Sequence, residues 1–217
     1  RTVPAVGAIA ATYPIGAQVT VSRAQWDARA ALMASAPTRL DDIGGPNYVD
    51  PTPVAVAGFG YRPATGLRVG VAVARGAYAT GDEEVSAPPD PRHVTMVAVE
   101  GEYEVAHTRI SGEVVHSAFE TIVDTAPAWA WFVQATQTVT PRWFVAWRDE
   151  RTRAPGLRAD ASVAPDLTMH LSESTVGYRM TPDVTVRASY FARRFYGRTV
   201  WDHQVGVGVV WAPVWGR

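Results

Sequence analysis

Polar and apolar residues alternate along most of this chain with a period of two, the period of a β-strand whose two faces differ. WDHQVGVGVVW at 201–211 displays it. Trp201, His203, Val205, Val207, Val209 and Trp211 share one side, and Asp202, Gln204, Gly206, Gly208 and Val210 the other. Helical spacing is scarce. Eleven segments carry the alternation, at 15–22, 25–35, 52–62, 66–78, 93–105, 107–119, 127–138, 142–153, 165–180, 183–196 and 199–212, and each is expected to be a strand.

The links between these segments come in two sizes. Those near 23, 64, 106, 140 and 181 are hairpin-sized, whereas ASAPTRLDDIGGPNYVD, TGDEEVSAPPDPR, TIVDTAP and APGLRADASVA are longer and polar. Short and long links alternate, with only the last, near Gly197, breaking the rhythm. In an up-and-down sheet alternate turns share an end, so one end is tight and the other carries loops. Outer-membrane barrels have this asymmetry, with short periplasmic turns and longer external loops. A soluble sandwich has no reason to enforce it.

Aromatic residues cluster where such a barrel would meet the two lipid–water interfaces. Beside the short turns lie Tyr61, Tyr103, Tyr178, Trp26, Trp143 and Trp211; at the loop end Trp129, Trp131 and Trp201 open strands. Trp201 and Trp211 are ten residues apart. That is about 33 Å along a strand, or roughly 25 Å of membrane height at a tilt near 40°. His116 and His203 fall on the lipid-facing parity near the loop end, at a depth that tolerates a polar tip. The competing reading is a soluble β-protein whose tryptophans cover the open ends of a sandwich.

The opposite parity collects charge. A two-residue loop at Ala106–His107 pairs Glu104 with Arg109, Glu102 with Ser111 and Glu100 with Glu113, all away from the apolar row. Arg68, Arg148, Arg187, Arg193, Asp202 and Gln204 join this face, together with Asp27, Arg29, Gln134, Glu150 and Ser189. So many charges suit a water-filled lumen and not a dry core. The like-charged pair Glu100–Glu113 would either bind a cation or face an arginine on a neighbouring strand. The remaining charges read as mutually paired wall residues or as a solute path of mixed sign.

Composition narrows the choice. The 217 residues are 47% hydrophobic and 19% charged, without the long apolar run of a transmembrane helix. A formal charge of −1 offers no basic field for nucleic acid. There is no cysteine, so disulfides and thiolate metal sites are excluded. The five histidines lack metal-ligand spacing, and no nucleophile elbow, P-loop or dinucleotide fingerprint is present. His116, Ser117 and Glu120 lie together near the loop end without the order of a triad, and adjacent Asp202 and His203 point to opposite faces. The GDEE run at 81–84 reads as a solvated loop. No metal, cofactor, catalytic residue or enzymatic activity is expected.

PAVGAIAATYPIGAQ (4–18), QWDARAAL (25–32), GYRPATGLRVGVAVARGAY (60–78), VEGEYEVAHTRISGEVV (99–115), FVQATQTVTPRWFVAWR (132–148) and the long run at 176–212 resemble porin-like outer-membrane β-barrels of Gram-negative bacteria. The resemblance implies a passive or weakly selective pore and supplies no catalytic residues. The expectation is one all-β domain over 1–217: an antiparallel, up-and-down transmembrane barrel with about 10–12 strands in this chain. Eleven is odd, so a twelfth strand at 1–11, further strands of a larger barrel, or another chain is expected to close the sheet. The expected location is the bacterial outer membrane and the main partner the lipid bilayer, with a homo-oligomer or other envelope proteins as further partners. The expected function is porin-like passage of small solutes. The alternatives are a structural barrel serving as scaffold for an envelope complex, and a periplasmic β-domain that binds a partner.

Overall fold

The computed structural model describes residues 16–33, 54–79, 92–120, 125–153, 158–159, 162–163, 168–195 and 197–212. Eleven strands form one antiparallel sheet in sequence order: β1 (Gly16–Ser22), β2 (Trp26–Met33), β3 (Val54–Ala64), β4 (Leu67–Ala79), β5 (Arg92–Val105), β6 (Thr108–Glu120), β7 (Thr125–Thr138), β8 (Trp143–Arg153), β11 (Met169–Arg179), β12 (Val184–Phe195) and β13 (Asp202–Trp211). Each segment expected to be a strand is one, with ends shifted by a few residues. Between β8 and β11 a two-rung hairpin, β9 (Arg158–Ala159) and β10 (Ser162–Val163), occupies what had read as an unstructured polar link. The sequence 1–11 and the GDEE run lie outside the described residues.

Every hydrogen-bonded neighbour in the sheet is the next strand along, so the topology is a pure meander. The sheet is open as described: β1 and β13 are its two edges. Pro63, read as part of a turn, lies inside β3, where the ladder to β4 shifts register between Tyr61 and Ala64. A residue without an N–H is tolerated where the pairing is already irregular.

On the central strands the alternation has the burial it predicted, whereas the edge strand β1 is exposed along its whole length. On β8 the odd residues Trp143, Val145, Trp147, Arg151 and Arg153 are exposed, while Glu150 and Thr152 are buried. Val71, Val99, Val114, Val205 and Val207 are exposed on the outer face, Val207 at 76%. A single surface leucine or valine means little, but whole strands of them form an apolar band that water would not tolerate. The residues with almost no exposure, Val54, Val94, Val115, Phe119, Ala128 and Ala130, have the opposite parity and lie toward the loop end.

The register slants across the sheet. Beginning at Val71, in-register neighbours run through Val99, Val114, Trp131, Arg151 and His170 to Arg194. Val71 lies in the short-turn half of β4, whereas Arg194 is one residue from the loop end of β12. Perpendicular ladders climb relative to the strand ends only when strands are tilted and staggered, as barrel closure demands.

Candidate functional site

The inner face at the short-turn end holds an interlocked set of charges. Asp27 on β2 accepts from Arg68 Nη2 at 3.0 Å and from Nε at 3.3 Å. Arg68 Nη1 donates to Glu100 Oε1 at 2.6 Å, and Arg62 Nη2 lies 2.9 Å from Asp27 Oδ2. Two cations and two anions thus neutralise one another across β2, β3, β4 and β5. Bare backbone makes room for them. A Cβ at Gly60 would run into the Arg68 guanidinium and Asp27, and one at Gly70 would meet the Glu100 side chain. The side chains remain 21–41% exposed, so water shares their solvation and the pairing energy is modest.

Arg68 settles the like-charged pair. Glu100 does lie opposite Glu113, but an arginine on the neighbouring strand faces it, so a bound cation is not needed to explain it. The described residues contain no group of three or more potential metal ligands. Glu104 is in register with Arg109 as expected, yet the ion pair goes diagonally: Arg109 Nη2 donates to Glu102 at 2.7 Å. Arg148 on β8 sits 4.3 Å above the Phe132 ring and bonds Glu150 at 2.8 Å. This pair is much drier, with side chains 14% and 8% exposed. Farther along, Thr175 joins Ser189 at 2.6 Å and Glu173 at 2.9 Å.

Toward β13 the wall is looser. Arg187 reaches over the space left by Gly208, Arg193 stacks on Phe195 at 4.9 Å, and Asp202 lies opposite Arg193 in register. Gln204 is exposed near the sheet edge. The expected lumen residues therefore separate into the Arg68–Glu100 cluster, the Glu102–Arg109 pair, the buried Arg148 pair and a more open group on β12 and β13. Arg62 was missed, although it continues the inward parity of Gly58 and Gly60. The roles of Phe132 and Phe144 were missed because an aromatic lying over an arginine or a glycine has no sequence signature; Phe144 covers Gly177.

The nine tryptophans and tyrosines expected at the interfaces all lie on the outer parity. At the short-turn end Trp26 stacks on Phe59 at 6.3 Å, next to Tyr61, and Trp143 meets Tyr178 at 4.7 Å. Tyr103 is 45% and Trp211 71% exposed at that same end. At the loop end Trp129 contacts His116 at 4.4 Å, Trp131 adjoins Arg151 in register, and Trp201 just precedes β13. Trp129 and Trp131 do not open their strand as expected, since β7 already begins at Thr125. His203 Nδ1 bonds the Tyr190 hydroxyl at 2.6 Å. His116 and Ser117 face opposite ways, so they form no dyad. Two carboxylate–imidazole pairs do exist among the described residues: His170 Nε2 lies 2.9 Å from Asp149 on the outer face, and His93 Nδ1 lies 3.3 Å from Glu120.

An antiparallel meander with a staggered register, an apolar exposed face and a charged inner face is the wall of an outer-membrane β-barrel. The comparisons agree on the fold. The chain is similar to OmpT, an outer membrane protein of Vibrio cholerae, in its outer-membrane-expressed form, with TM-score 0.63 and 12% identity over 89% of this chain and 63% of that one. A loop L8 deletion mutant of the same protein matches with TM-score 0.62 and 15% identity, over 89% and 61%. Its in-vitro folded form matches with TM-score 0.59 and 14% identity, over 89% and 62%. The chain thus spans about six tenths of the length of those barrels. No family model and no curated protein sequence matches it.

The expectation of no enzymatic activity is corrected by the same likeness. It rested on missing local motifs, whereas the frame shared with the OmpT barrels brings many strand ends to one rim. Groups drawn from separate strands leave no motif in the sequence, so the missing elbow, P-loop and metal spacing do not exclude chemistry there.

Proposed function

We propose that the chain forms the wall of a bacterial outer-membrane channel that passes small hydrophilic solutes. The observation that carries this reading is the inner cluster Asp27–Arg62–Arg68–Glu100, a row of charges laid over glycines and still in contact with water. Such a surface would be costly in a dry core and natural beside a water column. The exposed valine face and its flanking aromatics support the outer-membrane location, as does the likeness to OmpT.

A scaffold barrel with a filled lumen is the second reading. It is favoured by the buried inner layer of Val54, Val94, Val115 and Phe119 at the loop end. Single-channel recording of the refolded protein in a planar bilayer separates the two. Steady open steps are expected, with cation preference increased by Arg68→Glu because that change replaces the central positive charge with a negative one. A folded, inserted protein that never conducts would favour the filled barrel.

A further inference from the structure

Toward the loop end, the outer face stops being apolar. One in-register row runs Trp131, Arg151, His170, Arg194 across β7, β8, β11 and β12, and Arg153 lies two residues beyond Arg151 on the same face. The row is built and not merely basic. Asp149 holds the His170 ring through Nε2 at 2.9 Å, the Trp201 ring lies 5.0 Å from His170, and the Arg194 guanidinium sits 5.0 Å over that same indole. Among the described residues no carboxylate pairs with Arg151, Arg153 or Arg194, and Asp149 is committed to His170. Among the described residues the arginines therefore stand without a direct carboxylate partner at the boundary where the apolar face ends.

Directly below, the same face has a cleft of about 580 Å³. It is lined by the small residues Ala135, Ser174 and Ala188 and by the larger Trp147, Val176 and Tyr190. Ser174 is four residues from His170 along β11, about 13 Å at roughly 3.3 Å per residue. An apolar slot with unpaired cations one headgroup length above it matches one amphiphile. From this we infer that the outer face of β8, β11 and β12 is a binding site for an anionic lipid. Its headgroup phosphate lies against Arg151 and Arg194, with Trp201 at the interface, and one acyl chain lies in the slot. Arginine suits the role because its planar fork bonds phosphate oxygens in pairs.

The inference rests on the outer face meeting lipid, so its test reads insertion separately. The full chain, refolded in detergent, is titrated with phosphatidylglycerol, phosphatidylcholine or inorganic phosphate and examined by native mass spectrometry; heat-modifiable electrophoretic mobility monitors the folded barrel. The expected result is one retained phosphatidylglycerol per chain, with little retention of phosphatidylcholine or free phosphate. Arg151→Gln with Arg194→Gln should weaken retention about twenty-five-fold, roughly fivefold for each arginine near a headgroup. Arg151→Lys with Arg194→Lys should restore only part of it, returning the charge without the paired hydrogen bonds, and Ala188→Trp, which fills the slot, should weaken it with the arginines intact. Equal retention by the glutamine variant, or equal retention of phosphatidylcholine, overturns the site while leaving the barrel standing. A chain that shows no heat-modifiable folded form overturns the membrane reading and the site together.

Discussion

Two turn residues show how narrowly a hairpin can be specified. Ala106, first in the two-residue loop between β5 and β6, has φ of +50°, a conformation in which its Cβ crowds the backbone. Ala106→Gly should therefore stabilise the barrel by about 0.5–1 kcal/mol, read from urea unfolding in lipid vesicles. Gly66 presents the reverse case. Its φ is +79° and a Cβ there would run into the Glu104 carbonyl oxygen, so Gly66→Ala meets both a strained backbone and a clash and should lower stability or folding yield. The buried pair Arg148–Glu150 makes a third test. Arg148→Met leaves Glu150 charged at 6% exposure and should cost about 3–5 kcal/mol, whereas the further change Glu150→Leu should recover much of the loss. If the single and double variants unfold alike, the pair is not what holds that part of the wall.

The strands obey the two-residue period more closely than they obey their turns. Because directly opposed residues share a face, one in-register pair on each ladder fixes the facing of every side chain on both strands. This is why β13 can be judged as a unit: Val205, Val207, Val209 and Trp211 are exposed along one side. Val207→Arg would place a charge in the middle of that face. It should cost roughly 2–4 kcal/mol in a bilayer if the residue lies near its midplane, and far less in an aqueous setting. Comparing unfolding of this variant with that of Gln204→Arg, on the opposite parity, isolates the face from the mutation; equal losses would mean that the Val207 face meets lipid no more than the Gln204 face does.

At the scale of the molecule the open sheet poses the main physical demand. The outer edges of β1 and β13 carry backbone groups that no described residue pairs, and hydrocarbon cannot satisfy them. In a bilayer those groups must find partners. Hydrogen exchange over Val205–Trp211 should therefore show protection at every amide, not only at those turned toward β12; alternating fast and slow amides would mean an edge left open to water. The mismatch in length with OmpT belongs to the same scale, since eleven strands account for only part of those barrels.

Periodicity by itself determined a good deal: the eleven strands, the facing of their side chains, the hairpin register at Glu100–Glu113 and the separation of short turns from loops. These are local properties, because a two-residue repeat and a turn length can be read without knowing what packs beside them. Whatever depends on distance across strands was decided only by the tertiary structure. It turned Arg109 diagonally to Glu102, set Arg68 between Asp27 and Glu100, laid Phe132 under Arg148, and folded a small hairpin within a polar link. It also placed Arg151, His170 and Arg194 in one row, although 19 and 24 residues separate neighbouring members of that row along the chain. Alternation states which side a residue faces, but only the stagger of the ladders states which residue from another strand it meets.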